Sequence, residues 1–474
     1  MGQLAGFYNG RIALVDLSAG SVEVSPLPED LLFENIGGAA VNNVLYQKYG
    51  EGNPVVLGTG PLTGSFAPAS CLMVATFHSS SGEVHHVPFI RDAGPDLKFS
   101  GIDFVVIQGK APRLSAIEMK GGIINIADAE CIAGLEIPEA QEALTGPNML
   151  GTGTMLITGP AADSGSEAAC LSIGLWGSMD KVSLGSLMAS KNLKAIIMGA
   201  SMGISFPDFG IEPGHAMTRA VKDVLGKSKK ARFAVFEMMN VNSNAMSLLK
   251  RYHRRSYACY HCPFPCTSYL EFKLKDPTVK RGSKRKEGLF LLDHTGFYAL
   301  TKKRGSQSLA LMRECLHLGV DPVSAAKGLP LEGSSEEALQ FVRGLAGTKE
   351  AGEVNRKPDD KDLSLELHSG YLRPETCRLF GGGIPPIIRG QGKDRNRLWE
   401  TRVAVAMVMG ICPLFMLAFL DIEASELLGL VSNEQKDVEY LLERLGALVS
   451  SLLLQSGELA TNKMTIPDGR GVRD

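Results

Sequence analysis

A chain of 474 residues, 44% hydrophobic and 21% charged, can bury a large core and divide into two or three domains. A formal net charge of −2 and a pI near 6.5 argue against a dominant attraction to nucleic acid or anionic lipid. The first residues carry no charged-then-apolar leader, so a cytoplasmic protein is expected.

In chain order, the first two hundred residues read as β-rich. Short apolar runs ended by Gly or polar turn residues occur at 11–18 (RIALVDLS), 54–60 (PVVLGTG), 103–109 (DFVVIQG), 153–159 (GTMLITG) and 193–199 (LKAIIMG). Between the first two, Leu31, Leu32, Ile36, Ala40, Val44 and Leu45 recur at helical spacing and predict a helix over Pro28–Tyr49. The character changes after a turn-rich stretch at 205–212. Residues Gly214–Tyr252, Gln307–Leu318, Ser335–Leu345 and Val438–Leu454 have helical periodicity. The basic run Lys280–Lys286 is expected as a loop before the next helix, and the charged stretch 347–362 as a solvated linker.

Val403–Leu420 is an eighteen-residue run without a charge, at the lower edge of membrane-spanning length. Gly410 and Pro413 interrupt it and Asp421 and Glu423 follow at once, so a buried segment is expected and no membrane span.

Three of the nine cysteines fall in eight residues, Cys259-Tyr-His-Cys262-Pro-Phe-Pro-Cys266. The spacing puts three sulfurs on one tight loop that Pro263 and Pro265 stiffen, and convergent thiolates favour soft metals. Zinc, with His253 or His261 as a further ligand, and unligated thiols remain open. Zinc sites commonly pair two close-spaced knuckles, however, and no second Cys-x-x-Cys occurs. Three thiolates from one loop and a fourth from afar suit a [4Fe-4S] cluster better. The fourth ligand is expected at Cys412, in the Gly410-Ile-Cys412-Pro413 turn; Cys71, Cys131, Cys170, Cys315 and Cys377 read as ordinary small apolar residues or isolated thiols.

Gly60-Pro-Leu-Thr-Gly64 with Ala67-Pro68, Leu97-Lys-Phe-Ser-Gly101, Gln108-Gly-Lys-Ala111 and Met188-Ala-Ser-Lys-Asn-Leu-Lys-Ala195 together resemble the N-terminal domain of the aldehyde ferredoxin oxidoreductase family. Cys259, Cys262 and Cys266 match that family's three-cysteine loop, Met409-Gly-Ile-Cys412 resembles the loop with its fourth cluster ligand, and His317-Leu-Gly-Val-Asp321 resembles a helix end that follows the cluster loop. The resemblance implies an α+β architecture: a β-rich N-terminal domain at 1–208, a mostly helical domain with the cysteine loop at 209–345, and a helical C-terminal domain at 346–474. It also implies a [4Fe-4S] cluster and, in active members, a tungsten or molybdenum bis-pterin that oxidises aldehydes, the cluster passing electrons to ferredoxin.

The departures from the family bear on that cofactor. A glycine-rich turn with an arginine for pterin phosphate is here Ala69-Ser-Cys-Leu72, an Asn-Ser-Gly-Gly turn is Val87-Pro-Phe-Ile90, and an Arg/Gly-rich turn is Ser178-Met-Asp-Lys-Val-Ser183. The second pterin-binding stretch has no counterpart between Ala325 and Trp399, an expected acid is Met407, and an acidic site segment reads Leu292-Asp-His-Thr295. Losing bare glycines and arginine weakens an anion site twice over. The leading expectation is therefore an iron–sulfur electron-transfer subunit of a larger redox complex, with ferredoxin-like or other iron–sulfur partners in a hetero- or homo-oligomer and bis-pterin binding in doubt. An active enzyme is the alternative, with Arg91, Lys191, Lys194, His85 and His86 the nearby groups able to replace the lost clamps; a zinc-stabilised binding protein is the other. Asp293 and His294 read as helix-terminal residues with only a weak claim to catalysis.

Overall fold

The computed structural model describes residues 2–79, 84–145, 153–227, 243–275, 284–330, 333–347, 393–418 and 422–455. The charged linker expected at 347–362 apart from Gly347, Cys377, and most of the interval between Ala325 and Trp399 lie outside them.

Eleven strands build the N-terminal region as two sheets. The first contains β1 (Arg11–Asp16), β2 (Ser21–Pro26), β3 (Val55–Thr59), β4 (Met73–His78), β5 (Val84–Phe89) and β6 (Phe104–Gln108), in the order β2-β1-β6-β3-β4-β5. The β1–β6 pair is parallel and the others are antiparallel. Strands β3, β4 and β6 are buried along nearly their whole length, and so read in sequence as continuous apolar runs rather than alternating ones. The second sheet holds β7 (Ser115–Lys120), β8 (Ile123–Asp128), β9 (Thr154–Thr158), β10 (Leu171–Ile173) and β11 (Leu193–Gly199), in the order β10-β9-β11-β7-β8.

Two expectations are corrected. The helix predicted over Pro28–Tyr49 is two helices, Glu29–Asn35 and Gly38–Lys48. The break lies at Ile36 and Gly37, and a methyl on Gly38 would stand 1.9 Å from the Met407 carbonyl oxygen, so a close backbone approach overrides the apolar periodicity. The region after 208 is mostly helical as expected, but it also holds three strands that were not expected. Strands β12 (His253–Tyr257), β13 (Thr267–Lys275) and β14 (Lys284–Leu291) form an antiparallel sheet, so Lys284–Lys286 of the basic run belong to a strand. Leu270, Phe272, Leu289 and Leu291 bury one face of it, which is the period-2 signal of a strand. The cysteine loop is the connection between β12 and β13.

The remaining helices wrap these sheets. Lys393–Met409, buried from Glu400 onward, contacts helix Gly38–Lys48 on one side and helix Gln435–Gln455 on the other. Val403–Met409 are 0–2% exposed, so the described part of the run without charges is protein core. Among the described residues no helix is long and apolar enough to cross a membrane.

Candidate metal centre

Cys259, Cys262 and Cys266 sit on the β12–β13 connection, and Cys412 follows the central helix Lys393–Met409. That helix ends at Gly410, whose φ of 86° favours glycine; its N–H, like that of Ile411, donates to the Ala406 carbonyl (2.9 and 3.1 Å). Pro413 opens the next helix, so the chain between them is a tight turn that projects Cys412. Backbone packs on backbone here: a methyl on Gly60 would lie 2.3 Å from the Gly410 nitrogen. Lys98, fully buried, fixes the Gly60–Gly64 loop by donating from Nζ to the carbonyls of Gly60, Pro61 and Thr63 at 2.9, 3.2 and 3.2 Å.

A third segment joins the two that carry the cysteines. The Ala69 N–H donates to the His261 carbonyl (3.1 Å), the Cys412 N–H to the Ala69 carbonyl (3.0 Å) and the Leu72 N–H to the Gly410 carbonyl (3.3 Å). Cys71 on this turn is fully buried, and the neighbouring thiols of Cys259 and Cys412, with burial, push its own thiol well up. The sequence reading of Cys71 as an isolated or merely apolar residue is therefore corrected. Its signal was its place three residues after Pro68, in a motif otherwise assigned to phosphate binding.

Cys259, Cys266 and Cys412 are buried and Cys262 half-buried. Burial, followed by repulsion from Cys259, Cys412 and Cys266, pushes the Cys262 thiol well up. Burial and the neighbouring sulfurs do the same to Cys266, against the opposing Arg91 charge. Cys259 is pulled below the ordinary thiol value by the neighbouring Cys71 thiol and then by Arg91, which outweigh burial. Several thiolates gathered in one buried pocket repel, and a cationic metal centre is what offsets that repulsion. Arg91 is the nearby protein cation: Nη1 donates to the Ala258 carbonyl at 2.6 Å, and the guanidinium stacks 3.8 Å above the Trp176 ring.

The histidines beside the loop are occupied elsewhere. His261 Nδ1 meets the Ala67 carbonyl at 3.1 Å, and His253 Nε2 meets Ser256 Oγ at 2.9 Å. Among the described residues no three His, Cys, Asp or Glu side chains are placed to grip a single ion. In a four-iron cluster each thiolate binds its own iron, so the sulfurs stand farther apart than the roughly 3.8 Å of a tetrahedral zinc site with 2.3 Å bonds.

The positions expected to cradle phosphate are filled by protein. Ala69 and Ser183, within two of the altered turns, and Arg91, just after the third, hold left-handed backbone, φ 58°, 62° and 68°, so a glycine-like shape persists there while each position carries a side chain. Their amides are spent. Those of Ala69, Cys71 and Leu72 bond protein carbonyls, Val87 and Phe89 pair with β4, and Asp180 takes the N–H groups of Leu171, Val182 and Gly185 at 3.0 Å each. The cations are engaged as well: Lys191 donates to the carbonyls of Gly52 and Gly109, Lys194 to Asp163, and Lys181 to Asp293 and to Asp321 at 2.8 Å. His86 bonds Thr76 and His85 bonds Ser79 from within β5. These residues do not fit a phosphate-bearing pterin, and no chemical step is routed through one.

Asp293 and His294 take structural roles. Asp293 caps helix His294–Arg304 by accepting from the Gly296 N–H at 2.9 Å, and His294 Nε2 holds the Cys266 carbonyl at 3.0 Å. Burial lowers the His294 pKa to about 4, so the ring is neutral. Asp321, at the expected helix end, caps Pro322–Gly328 through the N–H groups of Val323 and Ser324.

Residues 12–200 match the aldehyde ferredoxin oxidoreductase N-terminal domain. The chain is 25% identical over 354 residues to the tungsten-containing aldehyde ferredoxin oxidoreductase of Pyrococcus furiosus, a match covering 66% of this chain and 56% of that protein. It is 27% identical over 217 residues to the aliphatic sulfonate oxidoreductase, WOR-like subunit, of the same organism, covering 41% of this chain and 35% of that one. The chain thus spans little more than half the length of the curated tungsten enzyme. In fold it is similar to a chain of the active site complex BamBC of benzoyl coenzyme A reductase, with TM-score 0.70 and 14% identity over 98% of this chain and 91% of that one. Over residues 12–200 the chain thus matches the N-terminal domain of the aldehyde ferredoxin oxidoreductases, and over 66% of its length it is similar to a tungsten-containing member of that family.

Proposed function

We propose that the chain is an electron-transfer subunit of a larger cytoplasmic redox complex, holding one [4Fe-4S] cluster on Cys259, Cys262, Cys266 and Cys412 and no tungstopterin. The observation that carries this reading is a contrast within one region. Four cysteines from two distant segments face one buried pocket, whereas the amides and cations around it are committed to protein partners. When bound, such a cluster takes up and releases one electron at a time. The chain's own residues shape that exchange. Three buried cysteines and the apolar side chains of Phe264, Ile411 and Leu414 exclude water, and Arg91 favours the more negative state. Half-buried Cys262 is the edge from which an iron–sulfur partner or a ferredoxin would exchange electrons. Similarity to a WOR-like subunit and to a chain of the complex BamBC supports an assembly role.

The test is metal and pterin analysis of the anaerobically purified chain. About four irons per chain are expected, with broad visible absorption that bleaches on reduction. Cys412→Ser and Cys262→Ser are expected to lose that iron and Cys315→Ser to keep it. Full iron in the Cys412 variant overturns the choice of fourth ligand; one zinc per chain, or tungsten or molybdenum with extractable pterin, overturns the reading itself.

A further inference from the structure

The sheet β12–β14 has an outer face that the cysteine site does not use. Leu270, Phe272, Leu289 and Leu291 turn inward, so Tyr269, Glu271 and Lys273 of β13 and Lys286, Gly288 and Phe290 of β14 turn outward. The register sets Tyr269 opposite Phe290, Glu271 opposite Gly288 and Lys273 opposite Lys286. From β12, Arg255 lies opposite Tyr269 and Tyr257 opposite Thr267. We infer that this face docks a small acidic electron-carrier protein. The inference rests on the cluster reading above and adds to it the partner's chemistry and its seat.

The centre of the face is aromatic. The Phe290 ring lies 4.4 Å from that of Trp176, 5.0 Å from Tyr269 and 5.6 Å from Tyr257, and Trp176 lies 5.3 Å from Tyr257. All four are half-buried, and Tyr269 lies across Gly288, where a methyl would stand 2.2 Å from its hydroxyl. The rim is basic. Arg254, Arg255, Lys273 and Lys286 are exposed, and Glu271 stands among them, 3.7 Å from Arg254 and 3.5 Å from Lys286. Ion pairs that long between side chains 31–68% exposed neutralise little. Four cations against one carboxylate leave these residues at +3 (4 − 1), in a chain whose formal charge is −2. Aromatic rings inside a charged rim that includes arginine are the composition of a protein contact surface, and the sign of the rim calls for an acidic partner.

Placement supplies the role. The pair Tyr257–Thr267 ends the sheet, and both strands run on from it into the Cys259–Cys266 loop. Ala258, beside Cys259, is exposed while its carbonyl accepts from Arg91. From Thr267 to Lys273 is six residue steps (273 − 267), about 20 Å, a length that suits the small and salt-sensitive contacts of electron carriers. Nucleic acid suits the face less well. Its rings pack on one another at 47–72° and offer bases no flat stack, and Glu271 sets a carboxylate among the cations.

The test uses the full chain purified anaerobically, with an oxidised acidic [2Fe–2S] ferredoxin as the probe, binding read by calorimetry and iron measured on the same samples. Arg255→Glu/Lys273→Glu reverses two rim charges; Lys222→Glu/Lys436→Glu makes the same change at exposed positions on two helices elsewhere. The native chain is expected to bind at about 20 mM salt and to lose most of that affinity at about 0.3 M. The rim variant should keep native iron and bind roughly tenfold more weakly, and the control variant should bind as the native chain does. No binding at low salt, native affinity in the rim variant, or equal loss in both variants overturns the docking face and leaves the cluster reading intact. An oligothymidylate that binds more tightly than the ferredoxin, and that the rim variant releases, overturns it in favour of nucleic acid. The expected binding by a chain without iron overturns the cluster reading and leaves the docking face in place.

Discussion

Replacing Lys181 by Met should destabilise the protein strongly, although Lys181 is none of the proposed ligands. The Lys181 side chain is 5% exposed and bridges Asp293 and Asp321, themselves 3% and 4% exposed. Burial alone would lower its pKa, but the two carboxylates outweigh burial and raise it. Each carboxylate also caps a helix, so neither can turn to water without freeing backbone N–H groups. Removing the cation leaves two buried carboxylates unpaired, a change that costs about 3–5 kcal/mol at pH 7. The variant has a distinctive pH dependence. Without Lys181, burial and repulsion from Asp321 hold the Asp293 pKa above that of the unfolded chain, so the folded state binds more protons as the pH falls. Its stability should therefore recover on going from pH 7 to pH 5. Urea denaturation at the two pH values measures this. The triple variant Lys181→Met/Asp293→Asn/Asp321→Asn keeps both caps and removes all three charges, and should regain most of the loss. A drop below about 1 kcal/mol in Lys181→Met, or a further loss on acidification, would refute the reasoning.

Gly60→Ala places a methyl 2.3 Å from the Gly410 nitrogen, so it should lower iron content without touching a ligand, whereas Gly10→Ala, with open space around it, should leave iron at the native level. Metal analysis of the two variants separates the effect of displacing Cys412 from that of losing a glycine. His294, at about 4 when folded and 6.5 when unfolded, binds fewer protons folded than unfolded between those values. Its contribution is thus present above pH 6.5 and lost toward pH 4, on the order of 3 kcal/mol across that window. His294→Gln should flatten the acid limb of the stability curve, and an unchanged limb would show that the ring is already charged in the native state.

Strands β1, β3, β6, β9 and β11 were legible because they are short, largely buried apolar runs ended by Gly or polar residues, whereas the other strands of the N-terminal sheets were not read. The long helices at 308–318, 335–345 and 435–455 were legible by period. The sheet β12–β14 was not. Its alternation is masked by charged residues such as Arg254, Lys273 and Lys286, which keep it looking solvated. Helix Pro28–Tyr49 failed for a different reason, since its break answers to the backbone of Met407, far along the chain. The cysteine loop announced itself by spacing, and Cys412 by its turn. Cys71 and Arg91 belong to the pocket only because the chain folds three segments together, a relation no local pattern carries.

The four proposed ligands divide unevenly along the chain, three within eight residues and the last 146 positions after Cys266 (412 − 266). Loading the centre therefore closes a covalent ring as a disulfide would. For a loop of that size the chain-entropy relation gives about 5 kcal/mol of stabilisation. Residues 348–392 lie wholly inside the ring, and the entropy of closure changes only slowly with ring size. Lengthening or shortening that interval by roughly ten residues alters the term by only about 0.1 kcal/mol. The C-terminal helices would thus be held to the β12–β13 connection by the metal centre itself.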